Sequence, residues 1–259
     1  MNILVTNDDG VDNPGIWALA RAVRELGDIT VVAPADNQSG VGAGLSFRQS
    51  VIIREYESQI ENVPCFAVDG TPGDSVAFGI NRVLNNTVNA VVSGINPGNN
   101  TSRNVFISGT FGAAIISAAL GVKACAFSIG PFDDVDNQLV GRIITATTSE
   151  LLSPDTPRAG LYNINFPPLQ YSGFLGAEGC APAPSELKMK LEANNFGGFE
   201  LFSGLRLNID RLKLMPGTDV EVLSRNRVAL SAFDGNTLVH DQDDPGLQRM
   251  IAAANRVIG

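Results

Sequence analysis

Two adjacent carboxylates at the end of a short apolar run constrain this chain more than any other feature. Residues Asn2 to Thr6 are rich in Ile, Leu and Val, and a turn-forming Asn7-Asp-Asp-Gly10 follows them. Such a run predicts a buried parallel strand that delivers Asp8 and Asp9 to its carboxyl end. Neighbouring side chains of a regular strand point to opposite faces. Two acids can therefore converge on one ion only where the strand gives way to a loop, and Gly10 supplies that break. In open α/β sheets ligands bind in the crevice beyond the carboxyl ends, particularly where strand order reverses. The pair is read here as a seat for a hard divalent cation, against the alternative of a solvated turn.

The next residues support a β-α-β opening. Ile16, Leu19, Ala20, Val23 and Leu26 have helical spacing, with Asp12 or Asn13 as cap, Pro14 in the first turn and Gly27 as stop. Asp28 to Ala33 reads as a second strand and opens into Pro34-Ala-Asp-Asn-Gln-Ser-Gly40. Further strands are expected at Val51–Tyr56, Pro64–Val68, Asn89–Ser93, Lys123–Ile129 and Gly160–Pro167. Helices are expected from Pro72 to about Leu84, over Ala113–Leu120 and over Asp136–Leu152. Beyond Pro168 the alternation stops, strand pairs are expected around Gly217–Phe233, and Asp243–Ile258 reads as a terminal helix. The expected architecture is α/β: a Rossmann-like three-layer core with a mostly parallel sheet over residues 1–167. A β-rich extension and a C-terminal helix occupy 168–259.

Composition narrows the functions. The 259 residues carry a formal net charge of −9, with 44% hydrophobic and 17% charged residues. That balance argues against nucleic-acid polymers and anionic membranes as partners, since no basic patch stands out. No apolar run approaches the ~20 residues of a membrane span, and the first strand is too short for a signal peptide's core, so a cytoplasmic protein is expected. Cys65, Cys125 and Cys180 are far apart, odd in number and without C-x-x-C spacing, which reads as buried thiols.

Four predicted loops bring small polar residues to one sheet edge: Asp8/Asp9, Ser39, Asn96 and Ser108-Gly109-Thr110. Two carboxylates, a hydroxyl and an amide oxygen form an all-oxygen set suited to Mg²⁺, Mn²⁺ or Ca²⁺ over zinc. Ser-Gly-Thr ahead of a helix is an anion cradle, because free backbone N–H groups and the helix dipole face the ligand. A metal beside a phosphate cradle implies metal-assisted phosphoester hydrolysis, with water attacking phosphorus in line. Competing machinery is missing: there is no G-x-x-x-x-G-K-[ST] loop and no G-x-S-x-G elbow. Gly40-Val-Gly-Ala-Gly44 does not match G-x-G-x-x-G, and His240 is the only histidine. Hydrolysis of short polyphosphate or another phosphoester, or a non-catalytic nucleotide-binding module, are the alternatives.

Six segments in order resemble the SurE survival proteins, metal-dependent 5′/3′-nucleotidases. They are Ile3-Leu-Val-Thr-Asn-Asp-Asp-Gly10, Ala33-Pro-Ala-Asp-Asn-Gln-Ser-Gly40, Gly70-Thr-Pro-Gly-Asp-Ser75, Val92-Ser-Gly-Ile-Asn-Pro-Gly-Asn-Asn100, Ser108-Gly-Thr-Phe-Gly-Ala-Ala114 and Asn163-Ile-Asn-Phe-Pro167. The resemblance implies one divalent cation per subunit, Mg²⁺ or Mn²⁺, held by Asp8, Asp9, Ser39 and Asn96, with the two aspartates catalytic. It implies that Asn7, Gly40, Ser108, Gly109 and Thr110 surround the phosphate of a nucleoside monophosphate. It further implies a homodimer or homotetramer built through the extension. Departures from the family pattern fall at Val41-Gly-Ala-Gly-Leu45, at Gly73 and Ser75, and at Ala229-Leu-Ser-Ala-Phe233. They bear on substrate preference and the pocket wall, and none is an implied ligand.

Overall fold

The computed structural model describes residues 1–130, 137–157, 160–169, 173–184, 189–193, 198–203, 215–235 and 237–259. Its strands are β1 (Asn2–Thr6), β2 (Asp28–Pro34), β3 (Ile53–Glu55), β4 (Cys65–Val68), β5 (Val88–Pro97), β6 (Ala124–Ile129), β7 (Gly160–Phe166), β8 (Ala177–Gly179), β9 (Met189–Ala193), β10 (Phe199–Ser203) and β11 (Val228–Asp234). Its α-helices are α1 (Pro14–Val23), α2 (Pro72–Phe78), α3 (Gly109–Ala119), α4 (Gln138–Leu152), α5 (Asp219–Ser224) and α6 (Pro245–Ile258).

Nine strands form one sheet in the order β3-β4-β2-β1-β5-β6-β7-β11-β8, and β9 and β10 form a separate antiparallel pair. From β4 to β7 all pairings are parallel, whereas β3 and β11 run antiparallel to β4 and β7. The mostly parallel α/β architecture expected from the sequence is the one found. The chain builds outward from β1 through β2 to β4, then returns to the other side of β1 with β5. Strand order therefore reverses between β1 and β5, and the crevice of an open sheet lies beyond the carboxyl ends at such a point.

Alternation along β1 separates two cores. Ile3 and Val5 join Trp17, Leu19, Ile143, Ile144 and Met250 on the face covered by α1, α4 and α6. Leu4 joins Val32, Val76, Val91 and Phe111 on the face covered by α2 and α3. Each such buried aliphatic side chain contributes roughly 1.5–3 kcal/mol relative to exposure. The helix starts follow local chemistry: Asn13 caps α1, and Pro14 occupies the first helical position, where its missing N–H is harmless. Asn137 and Asp244 likewise cap α4 and α6.

Two elements differ from the sequence expectation. β5 continues through Gly94 and Pro97, with a register shift between Ser93 and Asn96, so Asn96 sits on the strand's end instead of in a loop. Gly94 is required there, since its φ is +130° and a Cβ would lie 2.3 Å from the Phe127 carbonyl oxygen. The first half of the expected strand pair at 217–233 is helical, α5, and the second half is β11. β11 does not stay in a separate sheet, because it pairs with β7 from Ala229↔Asn165 to Asp234↔Gly160.

Candidate functional site

The turn after β1 is built so that its acids cannot wander. Asn7 donates from its side-chain amide to the Gly10 carbonyl at 2.8 Å, and Gly10 takes a φ of +103°. The N–H of Gln38 donates to the Asp8 carbonyl at 2.7 Å, which ties the Ser39 loop to the acid pair. Asp8 is only 3% exposed and Asn7 1%. The Asp8 side chain lies against the start of α3, where the Thr110 hydroxyl donates to its Oδ1 at 2.5 Å. Gly109 permits this approach, because a Cβ there would sit 2.6 Å from the Asp8 Cβ. The acid pair and the Ser108-Gly109-Thr110 cradle thus form one unit.

Ser108 caps α3 by accepting the Phe111 N–H at 3.0 Å. The short helical turn Ser102–Phe106 precedes it, so the cradle follows a turn and not a strand directly. The Ser39 loop packs on the same helix start: the Gly42 N–H donates to the Ile107 carbonyl at 3.0 Å, and a Cβ on Gly112 would meet the Gly42 oxygen at 2.2 Å. Ser39 and Gly40 are exposed at the lip of this arrangement, and the Ser39 N–H donates to Asn37 Oδ1. Asn96 is half-buried, and its amide group donates to the Gly98 carbonyl at 2.6 Å, which leaves its Oδ1 available as an acceptor. Thr6↔Ser93 is the last pairing of β1 with β5, and Asp9 and Asn96 each follow it by three residues in sequence.

Burial disfavours charge on both acids of the pair. Burial pushes the Asp8 carboxyl above its ordinary value, although hydrogen bonds from Thr110 and the first amides of α3 oppose the shift. Burial and the neighbouring Asp8 charge push Asp9 up to about 7. Oxygens of Thr6, Asn7, Asp9 and Ser93 are buried without a hydrogen-bond partner. All four residues belong to the carboxyl ends of β1 and β5. Unmet buried oxygens of this kind typically cost about 1–3 kcal/mol each. Among the described residues no three His, Cys, Asp or Glu side chains cluster as a metal site, so a cation here would need neutral oxygens beside the aspartates. The donor set is all-oxygen and fits a hard divalent ion.

Two supports were not singled out from the sequence as functional. Asp74 accepts from the Ser46 N–H at 3.0 Å, the Ser46 hydroxyl at 2.7 Å and the Thr71 N–H at 2.9 Å, while the Thr71 hydroxyl donates to the Gly44 carbonyl at 2.7 Å. Burial opposes charge on Asp74, but these bonds outweigh it and hold the carboxyl below its ordinary value. The pair anchors the far side of the Ser39 loop. Its signal was legible in Thr71-x-x-Asp74, the spacing of a capping box. The second support is Asn100, whose N–H reaches Asn165 Oδ1 and whose amide reaches the Ser128 hydroxyl. Its carbonyl accepts from Asn163 and Asn165.

Fold and site together define an α/β protein whose crevice, at the reversal of strand order, joins an acidic pair to a helix N-terminus. The model of the family "Survival protein SurE" matches residues 3–188, and the chain belongs to that family. A 5′-nucleotidase SurE from Methanopyrus kandleri is 39% identical over 177 residues, which cover 64% of this chain and 66% of that protein. The Flavobacterium johnsoniae 5′-nucleotidase SurE is 34% identical over 73% of this chain and 74% of its own length. The crystal structure of SurE protein from Aquifex aeolicus superposes with a TM-score of 0.73 at 26% identity, covering 92% of this chain and 94% of that one.

Proposed function

We propose that this chain is a divalent-metal-dependent phosphomonoesterase that hydrolyses nucleoside 5′-monophosphates, and 3′-monophosphates, to nucleoside and phosphate. The observation that carries the reading is the group of buried oxygens without partners around Asp8 and Asp9, beside the amides that open α3. The names of the relatives, 5′-nucleotidases, support the choice of substrate class.

In this reading Asp8, Asp9, Ser39 and Asn96 hold one cation per subunit, Mg²⁺ or Mn²⁺. When bound, that ion supplies Lewis-acid polarisation of a phosphate oxygen and offsets the paired carboxylate charge. Asn7, Gly40, Ser108, Gly109 and Thr110 position the phosphate. The start of α3 offers backbone N–H groups and the positive end of its dipole. The Thr110 hydroxyl fixes the Asp8 rotamer, which keeps that carboxylate from rotating toward the substrate. Asp9, half-buried and with a free Oδ2, is the carboxylate able to hold the attacking water or take its proton. Phosphoryl transfer rests on positioning and charge stabilisation, so the distance of His240 from the motif series is no obstacle.

Three reduced, buried cysteines suit a cytoplasmic setting, and among the described residues no helix is long and apolar enough to cross a membrane. A homodimer or homotetramer built through residues 168–259 completes the proposal, and light scattering of the purified protein measures its mass directly. The decisive assay is phosphate release from 5′- and 3′-nucleoside monophosphates and short polyphosphate, after chelation and after Mg²⁺ or Mn²⁺ is restored. Turnover of nucleotides only with metal is expected. Silence across the panel with metal bound would reduce the chain to a binding module, and silence without metal binding would end the reading of Asp8 and Asp9.

A further inference from the structure

We infer that Asp219, on the C-terminal side of the catalytic motifs, is a positioning residue that holds the phosphate cradle in shape. The inference rests on the assignment of Ser108–Thr110 to the substrate phosphate made above. Asp219 opens α5 and is 2% exposed. Its Oδ2 accepts the Ser102 N–H at 2.6 Å, and its Oδ1 accepts the N–H groups of Ala183 at 3.0 Å and Val220 at 2.8 Å. A buried carboxylate directed at backbone N–H groups of two distant segments fixes those segments relative to each other.

The Ser102 bond matters most, because Ser102 has a φ of +55°, a left-handed conformation that L-residues with a Cβ rarely adopt. Ser102 begins the helical turn that ends at Phe106. Within that turn Asn104 donates to the Thr101 carbonyl and accepts the N–H of Ser108 at 3.0 Å. Ser108 caps α3, and Thr110 two residues later holds Asp8. The path from Asp219 to the acid pair is therefore a continuous chain of hydrogen bonds and one tight turn. On the other side of Thr101, Asn100 is fastened to Asn163 and Asn165 of β7 and Ser128 of β6. Residues 100 and 102 are thus pinned from two directions. The pin at 102 comes from a part of the chain that carries none of the proposed ligands.

Asp219→Asn removes the second acceptor oxygen and turns an N–H toward a donor. The expected result is a fall in kcat/KM for a nucleoside monophosphate of about 10- to 100-fold, in line with small misplacements remote from the chemistry. Hydrogen exchange across residues 102–110 should rise with it. Ser102→Gly lowers the strain of a positive φ, so the double variant should recover part of both losses. A role confined to packing α5 against Ala183 would not respond to a glycine at 102. Wild-type kcat/KM and exchange in Asp219→Asn would overturn the inference, as would losses that Ser102→Gly leaves untouched. If Asp219→Asn does not fold, Asp219→Ser, smaller and with one acceptor, is read by the same two measurements. A wild-type protein without turnover would sink the nucleotidase reading, while the exchange data still decide the role of Asp219.

Discussion

The acid pair after β1 and the asparagine clamp at the end of β7 lie on the same edge of one sheet, yet they satisfy buried polarity to different degrees. At Asn100 the N–H, the carbonyl and the side-chain amide are all engaged by β6 and β7, and of the clamp's side-chain oxygens Asn163 Oδ1 is buried without a partner. At the end of β1 the oxygens of Thr6, Asn7 and Asp9 are buried with nothing to accept, and Asp9 is held up at about 7 by burial and by Asp8. A buried polar network that is satisfied specifies structure, whereas buried groups left unsatisfied call for a water, an ion or a chemical role.

Substitutions should have opposite stability signs in the two regions. Asp8→Asn should lower metal-dependent kcat/KM by about 100- to 1000-fold, yet raise the melting temperature of the chelated protein, because it removes a carboxylate whose charge burial opposes. A lower melting temperature in that variant would erase the contrast. Gly109→Ala places a Cβ 2.6 Å from that of Asp8. It should cost about tenfold or more in kcat/KM through displacement of the acid, and full activity would detach the cradle from the acid pair. Asn165→Ala leaves the Asn100 N–H without a partner and its carbonyl with Asn163 alone, and should destabilise by about 1–3 kcal/mol in denaturant titrations. A neutral result would mean that the clamp is not structural.

The last effect is in pH dependence. Asp9 rises from an unfolded value of about 4 to about 7 in the fold. Its contribution to stability is fully present below pH ~4 and is lost as pH rises through ~7. Chelated wild-type protein should therefore lose a few degrees of melting temperature over that window relative to Asp9→Asn, and Mn²⁺ should restore most at the upper end. Parallel curves for the two proteins would remove Asp9 from the charged cluster.

Much of this was legible in the residues. β1, α1 and β2 announce themselves because an aliphatic run, a capped helical stripe and a second run follow one another with glycine and proline at the joints. Asp8, Asp9 and Ser39 also lie in loops after strands as expected, whereas Asn96 lies within β5 and Ser108 follows a helical turn. What could not be read was set by distant packing. Gly94 and Pro97 look like the end of a strand, but β5 passes through them because Gly94 fits against the Phe127 carbonyl. Asp-Val-Glu-Val alternates as a strand would, yet Asp219–Ser224 is helical, with Val222 buried against Cys180 and Ala229. The union of Asp8 with α3 was likewise invisible, since it depends on Gly109 lacking a side chain.

The antiparallel seat of β11 beside β7 has a consequence during synthesis. β7 carries Tyr162 and Ile164 in the main core and forms its last parallel pair with β6. Its other edge stays open until residues 228–234 emerge from the ribosome, so the nascent sheet presents an unpaired apolar margin to every neighbouring chain. Closing that margin is a long-range event whose cost grows slowly with the loop that must be gathered. Any delay in synthesis between residues 166 and 228 lengthens that exposure.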